Sequence, residues 1–174
     1  MSTPLLRGFP PVVDERARTL ILGSFPSVQS LAADQYYANP RNAFWSITGE
    51  LFGFDAAAPY DRRLAELQSH GIALWDVLHT CRRGGSADSA FDPTSLAVND
   101  FGGLFADYPT ITVVYFNGVK AAELYRRLAS APDEIHYHRL PSTSPAHAMR
   151  PGTKLAAWAP IASAAQPGEA GRRA

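Results

Sequence analysis

The sequence predicts an α/β fold built on a central four-stranded, mainly parallel sheet. Short apolar runs alternate along the chain with segments of helical periodicity, and a polar or glycine-containing break follows each run. Parallel strands need long crossover connections, and helices that supply them cover both faces of the sheet. With 174 residues, 46% of them hydrophobic and 18% charged, the chain is long enough for one domain with a substantial core.

The predicted strands share compact runs of aliphatic, β-branched or aromatic residues. They cover 19–22, 72–78, 111–116 and 135–140. The first strand stops at Gly23 and Pro26, because a proline cannot continue a sheet ladder. The run ITVVYF at 111–116 is the strongest strand signal, and an Asn-Gly pair closes it.

The predicted helices are recognised by apolar residues three or four positions apart. They cover 42–52, 60–70, 100–108, 119–129 and 154–165. Gly53 and Gly71 end the first two helices, and Asp100 is placed to cap the third. We expect an irregular N-terminal arm at 1–18, a single domain at 19–166 and a frayed tail at 167–174. The Gly-, Ser- and Asp-rich stretch 79–95 predicts an exposed loop.

The composition bears on membrane insertion, secretion and cellular location. No apolar run approaches the length that spans a bilayer, and prolines with an acid interrupt the N-terminal segment where a signal peptide would need an apolar core. Cys81 is the single cysteine, so an internal disulfide is excluded and a reducing, cytoplasmic location is expected. The net charge is zero, which neither favours nor excludes nucleic acid. We expect a monomer.

Four polar or aromatic segments follow the four predicted strands. They read GSFPS at 23–27, WDVLH at 75–79, FNG at 116–118 and LPSTSPAH at 140–147. Because parallel strands end at one edge of a sheet, these segments should meet there, where open α/β sheets bind ligands. No metal cluster, Walker loop, dinucleotide fingerprint or serine-hydrolase elbow is present. Aromatic faces, amides and hydroxyls together favour a pocket for a base extruded from nucleic acid.

The motifs resemble a known family. GSFPS after the first strand, the run YYANPRNAFW at 36–45 and the late LPSTSPAH are similar to the uracil-DNA glycosylase superfamily, above all its hypoxanthine branch, family 6. The mismatch-specific uracil/thymine glycosylases carry a comparable run. The resemblance implies a three-layer α/β/α sandwich and a monofunctional glycosylase without metal or cofactor. Its partner would be damaged double-stranded DNA, from which it removes hypoxanthine and/or uracil.

Two superfamily positions depart from the usual pattern. Phe25 stands where an Asp or Asn normally orients the attacking water, and Ser142 stands where a His often stabilises the leaving base. In the hypoxanthine branch the Asn of the Y-A-N-P run is thought to carry catalysis, which assigns that role to Asn39. A neutral amide is not a general base, so we expect modest turnover.

The remaining roles follow from position in the motifs. Tyr37 and Phe25 are expected to contact the base, Tyr37 by stacking or, alternatively, by packing under its loop. Asp76 and Asn117 are candidates to read the base edge, although Asp76 also suits a turn cap and Asn117 an Asn-Gly turn. The DNA-contacting set is expected to comprise Ser24, Arg41, Ser142, Ser144, Ala146 and His147. His147 could act as a wedge, assist the leaving group or contact phosphate.

Two other functional classes fit parts of the sequence. A flavodoxin-like phosphate- or nucleotide-binding module would share the sheet, but GSFPS is a poor match for its phosphate loop. A noncatalytic interaction domain would leave the convergence of the four segments unexplained. Yellow colour in the purified protein would favour the first alternative. Binding to an abasic duplex without release of any base would favour the second.

Overall fold

Residues 3–165 are described by a computed structural model, which contains two sheets. The strands are β1 (Leu5–Arg7), β2 (Thr19–Gly23), β3 (Ile72–Asp76), β4 (Leu78–Arg82), β5 (Ala97–Val98), β6 (Val113–Asn117) and β7 (His136–Leu140). The helices are α1 (Val28–Ala33), α2 (Phe44–Phe52), α3 (Tyr60–Ser69), α4 (Phe101–Asp107), α5 (Val119–Leu128), α6 (Pro151–Trp158) and α7 (Pro160–Ala165). The predicted tail at 167–174 lies outside the described residues.

The larger sheet has four parallel strands in the order β3-β2-β6-β7. The register pairs Gly23 with Asp76 and Asn117 with Leu140, so the last residues of all four strands lie along one edge. The chain runs outward in both directions from β2, which places a topological switch point between β2 and β6. The predicted parallel α/β sheet is confirmed.

Each face of this sheet has its own core because side chains alternate along buried strands. Leu20, Leu22 and Phe116 point into one core with α4 and α5, whereas Ile21 and Tyr115 point into the other with α2, α3, α6 and α7. This arrangement confirms the three-layer sandwich. Asp100 caps α4 by accepting a hydrogen bond from the Gly103 amide at 2.9 Å, as predicted.

The expected irregular arm and exposed loop are each wrong in part. Leu5–Arg7 of the arm forms β1, which pairs antiparallel with β4 at the start of the predicted loop, and β5 completes a second, three-stranded sheet. The remainder of the predicted loop, from 84 to 95, lies outside the strands and is mostly exposed. Within the stretch predicted as an exposed loop, Cys81 is fully buried and Arg83 is 4% exposed. The arm also contacts the main sheet, since Val12 bridges Leu74. Alternating polar residues made β4 look like a loop, and its partner strand lies more than 70 positions away in the sequence.

The larger differences from the prediction are two boundaries and one additional helix. The apolar run 72–78 is divided at Val77, whose amide bonds to the Gly23 carbonyl at 2.8 Å while its carbonyl turns to the Asn99 amide. The last helix begins at Pro151 and is interrupted before Pro160, which has no amide hydrogen to continue the helical ladder. The segment after β2, where no helix was predicted, contains the short helix α1, which Ser27 caps.

Candidate functional site

A cavity of about 320 Å³ opens at the edge where the parallel strands end. This volume is at the lower end of the range of about 300–1,000 Å³ typical of small-ligand sites. The four segments that follow the strands border it, together with residues 34–43, the aromatic loop between α1 and α2. The predicted site residues that line it are Ser24, Phe25, Tyr37, Asn39, Asp76, Asn117, Ser142, Ser144 and Ala146.

Tyr37 is fixed at the cavity wall by a ring contact and by the hydrogen bond that its hydroxyl accepts from Asn117. One face of its ring stacks on Phe44 with centroids 4.0 Å apart and planes at 23°. Its backbone lies in the left-handed region at φ 54°, a conformation that costs a bulky residue about 1–3 kcal/mol. Burial raises the pKa of the Tyr37 hydroxyl above its ordinary value, and the charge of Asp76 raises it further. Tyr37 therefore presents a fixed, neutral aromatic surface.

Asp76 brings a carboxylate to the cavity at the end of β3. The residue is 5% exposed, and its backbone carbonyl accepts a hydrogen bond from the Asn99 side chain at 2.8 Å. Its side chain lies over Gly23 of the neighbouring strand, where an added Cβ would meet Asp76 Oδ1 at 2.5 Å and the Tyr37 hydroxyl at 3.4 Å. The glycine that ends β2 thus leaves the space that this carboxylate occupies.

Asn39 and Asn42 lie in two consecutive turns of the aromatic loop. Asn39 Oδ1 accepts from the Arg41 amide at 3.0 Å, and Asn42 Oδ1 accepts from the Phe44 amide at 2.9 Å. These bonds orient both side-chain amides, a local use of Asn that competes with helix formation. Within residues 3–165 the Asn39 NH₂ group donates to no other group, so it can donate to a ligand in the cavity.

Asn117 joins three segments of the site. Its Nδ2 donates to the Tyr37 hydroxyl at 3.2 Å and to Thr143 Oγ1 at 2.9 Å, and its Oδ1 accepts from the Thr143 amide at 2.9 Å. Both amide hydrogens are therefore engaged within the protein. These bonds hold Tyr37 and the segment after β7 together. A contact of Asn117 with a base edge stays a prediction.

Phe25 points mainly into the core and only borders the cavity. The residue is 7% exposed, and its ring packs edge-on against Phe91 at 6.5 Å. The Arg83 guanidinium lies 5.2 Å from the Phe25 ring centroid and donates to the Pro26 carbonyl at 2.6 Å. These contacts fix the segment that follows β2.

The segment 141–147 forms a lip of the cavity that is exposed from Pro145 to His147. Ser142 Oγ accepts from the Ser144 amide at 3.1 Å, and Ser144 Oγ accepts from the Ala146 amide at 3.2 Å. Two predicted residues, Arg41 and His147, lie outside the cavity and line a neighbouring groove of about 470 Å³. Thr143 and Pro145 border both spaces, so the groove adjoins the cavity.

Comparison with known proteins identifies the family. Residues 10–162 match the profile described as the uracil DNA glycosylase superfamily. The chain belongs to this superfamily. A "Hypoxanthine DNA glycosylase" of Methanosarcina acetivorans is 38% identical over 153 residues, covering 87% of this chain and 94% of that protein. One from Methanosarcina barkeri is 39% identical over 118 residues, covering 67% and 73%.

A solved structure agrees with this assignment to the uracil DNA glycosylase superfamily. A solution NMR structure from Methanosarcina acetivorans, provisionally described as a uracil DNA glycosylase, superposes with a TM-score of 0.73 at 36% identity. The alignment covers 91% of this chain and 99% of that chain. The family resemblance stated from the motifs is confirmed, and the fold follows this superfamily in place of the flavodoxin-like alternative.

Sequence reasoning missed Thr143, which lines the cavity. It stands inside the quoted motif LPSTSPAH, so position in the motif was an available signal. Tyr36 and Asn42, which the sequence offers as polar ligand-holding groups of the same loop, also line the cavity. Arg83 fixes one of its walls. Within residues 3–165, no three His, Cys, Asp or Glu side chains group as a metal site. In the same range, no helix has the length and apolarity needed to cross a membrane.

Proposed function

We propose that this protein is a monofunctional DNA glycosylase that extrudes a deaminated base, hypoxanthine first, from double-stranded DNA and hydrolyses its N-glycosidic bond. The observation that carries the proposal is the convergence of Tyr37, Asn39, Asp76 and Ser142 on one cavity. The names of the relatives supply the preferred base. We further propose that it acts as a monomer in the cytoplasm, without a metal or cofactor.

Asp76 is suited to distinguish deaminated bases from their parents. Deamination of adenine converts the ring N1 from a hydrogen-bond acceptor into an N–H donor, and deamination of cytosine does the same at N3. An ionised carboxylate only accepts hydrogen bonds, so it pairs with the new N–H and repels the lone pair of adenine or cytosine. A site that hydrogen-bonds a donor present on one base and absent from another discriminates strongly between the two bases.

Tyr37 and Asn39 would act on the extruded base. The face of Tyr37 opposite Phe44 would stack on the base, while Phe44 supports the ring from behind. The NH₂ group of Asn39 donates to an acceptor on the departing base, where negative charge develops. As the C1′–N bond breaks, a water oxygen bonds to C1′ and the water proton ends on the base. A preoriented dipole stabilises such charge without acting as a base.

The lip would hold the DNA around the lesion. Ser142 and Ser144 each accept a backbone hydrogen bond and retain a hydroxyl proton, which can be donated to a phosphate oxygen. Ala146 and His147 are exposed and can enter the gap left by the base. Arg41 and Ser24 extend the contact surface on either side.

A base-release panel tests the proposal. Duplexes carrying hypoxanthine, uracil, xanthine or mismatched thymine are incubated with protein, and alkali reveals abasic sites. We expect the fastest cleavage at hypoxanthine, unaffected by EDTA, with Asn39→Ala reduced about 100-fold. Asp76→Asn should release less hypoxanthine and discriminate less against adenine. Tight binding to an abasic duplex with no release from any substrate would instead favour a noncatalytic interaction domain.

A further inference from the structure

Helix α6 fastens the lip of the cavity at both ends. Trp158 Nε1 donates to the Pro141 carbonyl at 2.8 Å, and Lys154 Nζ donates to the His147 carbonyl at 3.0 Å. The two side chains are four positions apart, so they project from the same side of the helix. Between the two attachments, Pro145, Ala146 and His147 are exposed.

Lys154 is an unusual residue to find in this place. It is 6% exposed, and within residues 3–165 no carboxylate lies within ion-pair distance of its ammonium. Burying an ammonium without a counter-charge is costly, so such a group normally has a compensating role. Burial lowers the pKa of Lys154 below its ordinary value, as expected for a charge removed from water. The His147 carbonyl is the acceptor that this buried group reaches.

The lip has few backbone hydrogen bonds of its own, so the bond from Lys154 to the His147 carbonyl matters more here than it would in a strand or helix. Its own bonds are the two serine turns and the His147 amide to the Ser144 carbonyl at 3.0 Å. Asn117 fixes the Thr143 end, three positions before Ala146. At the His147 end, the side-chain hydrogen bond comes from Lys154. Loss of that tie would release the residues that are exposed for insertion into a duplex.

We propose that Lys154 is a positioning residue that holds Ala146 and His147 in the shape required to enter a DNA duplex, and thereby sets the preference for double-stranded over single-stranded substrate. The inference rests on the proposed function. Extrusion from a duplex leaves a gap that must be filled, whereas a single strand presents its base without one. The tie should therefore matter for one substrate and not for the other.

The test measures base release from hypoxanthine in a duplex and in a single strand of the same sequence. Lys154→Met keeps an unbranched apolar chain of nearly the same length and removes the ammonium. We expect its kcat/KM to fall about tenfold on the duplex and to stay within about twofold on the single strand. Lys154→Arg, which keeps a cationic donor, should restore part of the duplex activity. Arg127→Met removes one positive charge from the exposed end of α5, at the opposite edge of the sheet, and should change neither value.

A second measurement follows the lip directly. Amide hydrogen exchange at Ala146 and His147 should accelerate in Lys154→Met, while exchange at Val114 in β6 stays unchanged and shows that the fold is intact. Equal losses on both substrates, or unchanged exchange at the lip, would overturn the inference. If the wild type does not act on single strands, the effect of Lys154→Met is measured instead as the change in Kd for the duplex and for the single strand. Absence of base release from every wild-type substrate would refute the proposed function instead, and the exchange result would still decide whether Lys154 fixes the lip.

Discussion

The segment after β2 and the lip after β7 border the same cavity but are held in opposite ways. Phe25 and Pro26 of the first segment are buried, and the buried Arg83 fixes them through a ring contact and a backbone hydrogen bond. The lip is exposed from Pro145 to His147 and is fastened by individual side-chain bonds. One wall is an extension of the core, and the other is a surface loop held in place by its attachments.

This difference suggests a division of labour within the site. A wall that belongs to the core cannot move without disturbing packing, which suits recognition of a base and alignment of reacting atoms. A fastened surface loop can adapt to DNA while its ends stay in place. Changes on the core wall should therefore lower kcat on every substrate. Changes on the lip should mainly raise KM for the duplex.

The largest effect is expected at Gly23. Gly23→Ala would place a Cβ 2.5 Å from Asp76 Oδ1, so the carboxylate must leave its position in the cavity. Misplacement of a site group by about 1 Å can cost about 100-fold in rate, and we expect kcat to fall by at least that factor. Gly102→Ala in α4 is the matched control, since its nearest recorded neighbour is 3.6 Å away. Near-normal activity in Gly23→Ala would show that the position of Asp76 is unimportant.

Asn117 connects Tyr37 with the lip, and its loss should affect both kcat and KM. Asn117→Ala removes three hydrogen bonds, to Tyr37 and twice to Thr143. We expect the free energy of unfolding to fall by about 2 kcal/mol and kcat/KM to fall about tenfold. Tyr37→Phe removes one of those bonds and keeps the stacked ring, so its effect should be clearly smaller. If Asn117 instead read the base, Asn117→Ala would change the order of preferred bases in the release panel.

His147 gives the smallest expected change in activity. His147→Ala removes an exposed side chain from the lip and leaves the backbone carbonyl that Lys154 contacts. We expect KM for the duplex to rise about threefold with kcat nearly unchanged, the pattern of lost binding without lost chemistry. Steady-state kinetics on the hypoxanthine duplex measure both constants. A fall in kcat alone would assign His147 to the leaving group.

The sequence predicted the features that depend on local pattern. The parallel strands carry buried apolar runs, so their positions and the edge where they end could be inferred before the fold was known. Because the site residues follow those strands directly, their convergence could be inferred as well. The motif YYANPRNAFW further restricted the family, since it combines aromatic, amide and proline positions at fixed spacing.

Features that depend on distant partners could not be inferred in the same way. β4 reads LHTCR, an alternation typical of loops as much as of strands, and it becomes a strand by pairing with β1. Arg83 and Lys154 would be assigned to solvent by composition alone, because charged side chains are rarely buried. Asn117 looked like a turn residue or a base reader, and its role depends on where Tyr37 and Thr143 lie in space.

A last prediction concerns stability at alkaline pH and has no effect near neutrality. Burial raises the pKa of both Tyr37, in the cavity wall, and Tyr125, in the opposite core, above the ordinary value of 10.0. Above pH 10 the unfolded chain releases these protons while the folded chain retains them, so the free energy of unfolding falls as pH rises. Each such tyrosine contributes a slope of about 1.4 kcal/mol per pH unit.

Urea titrations between pH 9 and 11 should show this fall in the free energy of unfolding. Tyr125→Phe should reduce the slope while leaving base release at pH 8 unchanged. Tyr37→Phe should reduce the slope by the same amount and also lower activity, because the Tyr37 hydroxyl belongs to the site and the Tyr125 hydroxyl does not. An unchanged slope in both variants would contradict the burial of these two hydroxyls.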